Sequence, residues 1–234
     1  MAHETLKKIE TEYHTDDVLA YKANYEAFKG GLTKHEVAQY YNKWAETGEY
    51  DAHLNENRYC GPESCARSLA TYYPDNERAH ARILDVAAGT GRLGAELHNL
   101  GFRQIEALDP STGMLAKAKD RNVYTHFYND FIGVDHPVPV DDGTFDGLAV
   151  SGGFGEGHIP CTALQEMIRV VRTGGMICIA MREEYLIYVS EYKGSLEQLM
   201  TELESAGKWK LEAKDTIPNY AFGLPGVIFQ FRVL

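Results

Sequence analysis

What these 234 residues lack narrows the field first. No apolar run approaches the ~18–20 residues that a helical bilayer span needs. Cysteine is sparse: Cys60, Cys65, Cys161 and Cys178 form no CxxC pair and no zinc-finger spacing with histidine. That excludes a disulfide scaffold and a structural zinc site, and fits free thiols in a reducing compartment. Lysine and arginine never cluster beyond a pair, and 23 of them face 34 acidic residues, for a net charge of -11. Gripping a phosphate backbone takes a concentrated basic patch, so nucleic acid and anionic membranes are poor partners, and a small ligand or a protein is favoured. The start, MAHETLKKIETEYHTDD, is polar and acidic, unlike a secretory signal or an Arg-rich transit peptide, so a cytoplasmic location is expected. There is no internal repeat and no low-complexity segment. The length suits one large domain, alone or with an appendage.

Two zones differ in what they do contain. Residues 1–80 hold nine of the fifteen tyrosines and no convincing strand. Thr33 and Glu36 have capping-box spacing for a helix that runs through Val37, Tyr40, Tyr41 and Trp44 and ends at Gly48. Pro62 suits the first turn of a second helix, broken before Tyr73-Pro74. From about residue 81 short apolar strands alternate with helices: ARILDVAA, GRLGAELHNLG, RQIEALD, a Ser111-capped STGMLAKAKD, VYTHFY, FDGLAVS, TALQEMIRVV and GGMICIAM. Ser195 and Gln198 predict a further capping box for SLEQLMTELESAG. WKLEAKDTI and GVIFQFRVL close the chain as two strands around a Pro/Gly-containing turn. Such alternation implies a parallel sheet covered on both faces. The last two strands lack a helix between them and should pair as an antiparallel hairpin. The expected organisation is a helical segment over 1–80 and one folded unit over 81–234.

The first strand runs into Gly89-Thr90-Gly91-Arg92-Leu93-Gly94, a G-x-G-x-x-G match, and Asp109 lies twenty residues beyond Gly89. Alone this is the dinucleotide fingerprint, or merely a tight strand-to-helix turn. Charge separates the ligands. Asp85 at the tip of the first strand would repel a pyrophosphate, whereas a cofactor carrying an ammonium and a sulfonium would gain from it. Asp109 suits either cofactor, since both present ribose hydroxyls.

LDVAAGTG, ALDPSTGMLAKA, YNDF, VPVDDGTFDGLAVS and LQEMIRVVRTGG, in that order and spacing, resemble the class I S-adenosylmethionine-dependent methyltransferases over about residues 35–234. The resemblance implies a Rossmann-like α/β fold with a seven-stranded, mostly parallel sheet and S-adenosylmethionine as cofactor. It places Asp85, Ala87, Gly89, Thr90 and Gly91 in the cofactor loop, with Ala87 where the family usually has glycine. It puts Asp109 and Pro110 at the ribose, Met114 beside the adenine, Asn129, Asp130 and Phe131 around the adenine edge, and Ser151 at the end of the fourth strand. YYNKWAETGEYD, RYCGP and SGGFGEGHIPC also resemble the methyltransferase-like group that includes the protein of the Williams–Beuren syndrome region. In related enzymes the aromatic N-terminal helix is a lid. Tyr41, Trp44 and Tyr59 would then touch the methionine half of the cofactor, or else pack the helix onto the sheet.

Ligands of open α/β sheets sit beyond the carboxyl ends of the strands, so the methyl acceptor is expected near Ser151 to Cys161. His158 is the only histidine there and titrates near pKa ~6.5 when unperturbed. It is the candidate to bind or deprotonate an acceptor, the alternative being a solvent-facing loop histidine. Pro160-Cys161 is similar to the Pro-Cys pair of cytosine-C5 methyltransferases, but Pro160 also fits a helix start and the acidic chain suits nucleic acid badly. No metal is expected, because Ser151-Gly152 stands where magnesium-dependent enzymes place a carboxylate. The reading is a monomeric enzyme that methylates an O, N or S nucleophile on a small molecule or, failing that, a protein. A cofactor- or partner-binding protein without turnover and an NAD-dependent oxidoreductase remain the alternatives.

Overall fold

A computed structural model describes residues 15–234. The N-terminal zone folds as α1 (Thr15–Ala27), α2 (Lys34–Glu46), α3 (Glu49–His53) and α4 (Gly61–Ala70). The core follows with β1 (Arg82–Val86), α5 (Arg92–Asn99), β2 (Gln104–Leu108), α6 (Thr112–Asp120), β3 (His126–Tyr128), β4 (Phe145–Ser151), α7 (Ala163–Val170) and β5 (Val171–Arg182). It closes with α8 (Tyr185–Tyr188), α9 (Leu196–Ser205), β6 (Trp209–Ala221) and β7 (Leu224–Val233). The seven strands form one sheet in the order β3-β2-β1-β4-β5-β7-β6. Pairing is parallel from β3 to β5, and β7 runs antiparallel to both β5 and β6. This is the expected mostly parallel sheet with a terminal hairpin.

Strand alternation assigns each side chain to a face. Leu84, Val86, Leu148, Val150, Ile177 and Ile179 point to the side covered by α7 and α9, where Trp209 stacks on Phe231 at 3.9 Å. Ile83, Ile105, Ala149, Met176, Cys178 and Ala180 point to the side of α4 and α5. Apolar burial on both faces explains why the parallel strands read as runs rather than as alternations.

Several boundaries differ from the sequence expectation. The VYTHFY strand shortens to His126–Tyr128, because Tyr124 leaves the strand to donate to Asp85 at 2.7 Å. The closing turn is only Phe222-Gly223, with φ of 53° and 71°, a pair of positive angles that suits a tight hairpin. Pro218 lies within β6, at a register irregularity between Ile217 and Ala221 on the edge of the sheet, where no ladder donor is needed. The Thr33 box forms as expected, with Thr33 Oγ1 accepting from Glu36 N and Glu36 accepting from Thr33 N. The Ser195 box does not. Its side chain makes no cap bond, since the turn before α9 is already helical and Leu196 N donates to Tyr192 O. Helix α7 begins at Ala163 rather than at Pro160.

Candidate active site

A cavity of about 180 Å³ lies over the carboxyl ends of β1, β2, β4 and β5. Helices α1 and α2 contribute its outer wall. Asn42 of α2 accepts from Ser111 Oγ at 2.7 Å and Gly113 N at 2.8 Å, fastening that helix to the start of α6. Tyr59 is set by backbone pairing: Cys60 N donates to Tyr220 O and Phe222 N to Arg58 O, so residues 58–60 run along the end of β6. Arg92, the first residue of α5, donates to Leu54 O and Tyr59 O and steadies the same segment.

On the β1–β2 side, Val86, Ala87, Gly89, Asp109, Pro110, Met114 and Phe131 line the cavity. Gly89 has φ 55°, and a Cβ there would meet only Tyr50 Oη at 3.6 Å, so its open side faces the space. Asp109 is buried, and its oxygens accept from Gly89 N and Ser111 N at 2.8 Å each. Burial outweighs these bonds and raises its pKa to about 6. Ala87 is non-glycine at φ 55°, a conformation that crowds Cβ.

Asp85 does not line the cavity. It shares a strand face with Ile83, so it points under α5 instead. One oxygen accepts from Tyr124 Oη and the other, fully buried, has no partner. Desolvation raises its pKa to about 7. The expectation that Asp85 meets the ligand with its charge is therefore corrected. Thr90 and Gly91 also turn away: Thr90 Oγ1 donates to Asp51 at 2.6 Å, and Gly91 caps α5 against the Tyr124 ring. Asn129 donates to Asp109 O, and Asp130 bonds Phe131 N and His136 Nδ1, outside the lining. Trp44 is 4% exposed and donates to His53 Nδ1, so it packs rather than lines. Tyr41 and Tyr59 of the same aromatic group do line the wall.

On the β4–β5 side, Ser151 bonds Tyr59 Oη at 2.8 Å, and Tyr59 Oη lies 3.3 Å from Tyr220 Oη. His158 lines the cavity and is not a solvent-facing loop residue. Its ring stacks on Phe28 at 4.2 Å. Nδ1 lies 2.7 Å from Glu156 O and must donate, so Nε2, 3.0 Å from Tyr41 Oη, accepts. Burial lowers its pKa to about 4, and the ring is neutral near pH 7. Cys161 turns its thiol to Glu191 O, outside the lining, with its pKa raised to about 11 by burial.

Sequence reasoning missed Asn24, Phe28, Lys34, Tyr50, Arg182, Tyr185 and Tyr220, which also line the cavity. Only Arg182 carried a local signal, as the last residue of a strand in an open α/β sheet.

Residues 83–175 match a family described as a methyltransferase domain. Methyltransferase-like protein 27 of Homo sapiens is 34% identical over 171 residues, which is 73% of this chain and 67% of that protein. The chain belongs to the class I S-adenosylmethionine-dependent methyltransferases. A demethylmenaquinone methyltransferase of Beutenbergia cavernae is 33% identical over 59% of this chain and 57% of its own length. Among solved structures, a 1,6-didemethyltoxoflavin-N1-methyltransferase of Burkholderia thailandensis superposes with a TM-score of 0.60 at 17% identity, covering 88% of this chain and 92% of that one. The [4+2]-cyclase SpnF superposes with a TM-score of 0.61 at 17% identity, covering 88% and 98%. These two likenesses show the fold. Family membership removes the oxidoreductase alternative and makes the chain a methyltransferase that uses S-adenosylmethionine. Its residues fit that cofactor: a buried carboxylate with lone pairs to spare borders the space, beside a glycine whose missing side chain leaves room.

Proposed function

We propose that this methyltransferase holds S-adenosylmethionine along the β1–β2 side of the cavity and a small-molecule acceptor along the β4–β5 side. Methyl would pass to an O, N or S nucleophile by in-line displacement. The carrying observation is continuity: one cavity runs from Gly89 and Asp109 to His158 and Tyr185 beneath α1 and α2. The cofactor supplies an activated methyl on a leaving group that departs neutral. The chain's contribution is alignment and exclusion of water, and proximity alone can be worth ~7–11 kcal/mol.

In this reading Asp109 accepts the ribose hydroxyls while Gly89 N and Ser111 N hold it in place. Pro110, Met114 and Phe131 flank the adenine. Tyr41, Tyr50 and Tyr59 turn ring and hydroxyl towards the cationic end, with Ser151 beside them. Thr90, Gly91, Asn129 and Asp130 support the loops from behind. His158 is a positioning residue: its neutral Nε2 holds the Tyr41 hydroxyl, and a base this weak would take little of an acceptor's proton. Residues 34–60 act as a lid over the core, supported by their fastening through Asn42 and Arg92. The enclosure favours a small molecule over a protein as acceptor. Four free thiols suit a reducing cytoplasm, and no helix among the described residues is long and apolar enough to cross a membrane.

Calorimetric titration with S-adenosylmethionine, S-adenosylhomocysteine and NAD tests the placement. Both sulfur compounds should bind and NAD should not. Asp109→Ala should weaken the sulfur compounds at least tenfold, and unchanged affinity would remove Asp109 from the site.

A further inference from the structure

Arg182 ends β5 on the same face as Cys178 and Ala180, which carries it under α1 at the far end of the cavity. It is 6% exposed. Its guanidinium lies within 5.6–5.8 Å of the ring centres of Tyr21, Tyr185 and Phe222. Nη2 donates to Asn24 Oδ1 at 2.6 Å. Its carboxylate contact is a single-point one, Nη1 to Glu184 Oε1 at 3.4 Å. A well-matched arginine–carboxylate pair is two-pronged at about 2.7–2.9 Å, so Glu184 uses little of the fork. Glu184 does not line the cavity, whereas Arg182 and Asn24 do. With Oδ1 turned to Arg182, the Asn24 amide has its N–H donors free to face a ligand. His158 is neutral, and no acidic side chain lines this end among the described residues. Phe28 adds an apolar wall, stacked on His158 and 5.4 Å from Tyr185.

We propose that Arg182 and Asn24 form an anion-binding subsite for the methyl acceptor, and that the acceptor is a small planar molecule bearing a carboxylate. The carboxylate is the handle, not the nucleophile. This rests on the cavity being the methyl-transfer site. A second source of carboxylate exists, the methionine half of the cofactor itself. Position on the sheet favours the acceptor: Arg182 stands on β5, beyond β1 and β4 from Asp109 on β2, in a cage of Tyr21, Tyr185 and Phe222 from α1, α8 and the β6–β7 turn. The S-adenosylhomocysteine titrations below separate the two sources.

The probe pair is benzoate and benzamide, which share shape and differ in charge, titrated into the chain with and without saturating S-adenosylhomocysteine. Benzoate should bind at least tenfold more tightly than benzamide. Arg182→Gln should abolish that preference while leaving S-adenosylhomocysteine affinity within twofold. Glu184→Gln, which removes the competing carboxylate, should tighten benzoate several-fold. Equal binding of the two probes to the wild-type chain would overturn the subsite. So would an Arg182→Gln variant that loses S-adenosylhomocysteine tenfold but keeps benzoate, which would give the guanidinium to the cofactor. Should Arg182→Gln fail to fold, the wild-type contrast and the Glu184→Gln response decide. Failure of S-adenosylhomocysteine to bind would count against the cofactor placement, and the benzoate contrast without it still decides the subsite.

Discussion

Asp85 is the residue whose chemistry is most at odds with its position. A carboxyl with one buried oxygen unpartnered resists ionisation, and burial raises its pKa to about 7, partly offset by the Tyr124 hydrogen bond. A folded-state pKa above the unfolded value of about 3.8 stabilises the fold fully below that lower value. The contribution is lost as pH rises through about 7. Asp85→Asn, which copies the neutral form, should therefore be more stable than wild type at pH 8 and nearly equal to it at pH 4. Urea unfolding at the two pH values reads this, and a variant less stable at pH 8 would show that ionised Asp85 is favoured by its surroundings. Ala87 carries the opposite kind of tension, a methyl at positive φ on the cavity wall. Ala87→Gly should raise stability by up to ~1 kcal/mol, since the left-handed conformation costs an L-residue about 1–2 kcal/mol and glycine returns part of that in entropy. A loss on thermal unfolding would mean the methyl's packing matters more.

At the scale of elements, the two serine/threonine boxes make a controlled comparison. Thr33 spans its box in both directions, whereas Ser195 has the residue pattern without the bonds. Thr33→Ala should cost about 1 kcal/mol, the usual worth of a helix N-cap. Ser195→Ala should change stability by less than about 0.5 kcal/mol, as surface substitutions without such a bond do. Equal losses in chemical denaturation would show that the pattern alone, not its geometry, carries the energy. The same distinction governs the aromatics of α2. Tyr41 and Trp44 are three residues apart on one stripe, yet Tyr41 reaches the cavity and Trp44 is consumed by packing on Tyr50 and His53.

Over the whole molecule, the N-terminal helices and the sheet enclose one space held by a few cross-links, chiefly Asn42 to α6 and Arg92 to the 54–59 segment. Ligand binding beneath such a cover should slow opening of the cover more than opening of the core. Amide exchange over residues 34–60 should slow at least several-fold on adding S-adenosylhomocysteine, with little change in β4, β5 and β7. Unchanged exchange over 34–60 would mean the helices are a fixed wall rather than a lid.

The strand and helix sequence, the parallel sheet with its antiparallel end, the glycine turn and the family were all legible in the 234 residues. The elements depend on near neighbours, through apolar periodicity, a cap or a glycine where a side chain would crowd, and the family on the order and spacing of such short segments along the chain. That Gly89, Asp109, Pro110, Met114 and Phe131 stand at the mouth of the sheet was legible too, because strand-tip position and motif spacing can be read along the chain. What faces what across the fold was not. Whether Asp85 points at the cavity or under α5 is decided by the strand's half-turn register within the closed sheet. Whether His158 faces solvent or lies buried and neutral is decided by its packing against Phe28 and Tyr41, the latter 117 positions away. Arg182 meets Asn24 across 158 residues, through an angle that only the packing of α1 over the end of β5 sets. The local pattern determined the scaffold, and tertiary closure decided which groups lose water together, and so which of them are charged and what they can bind.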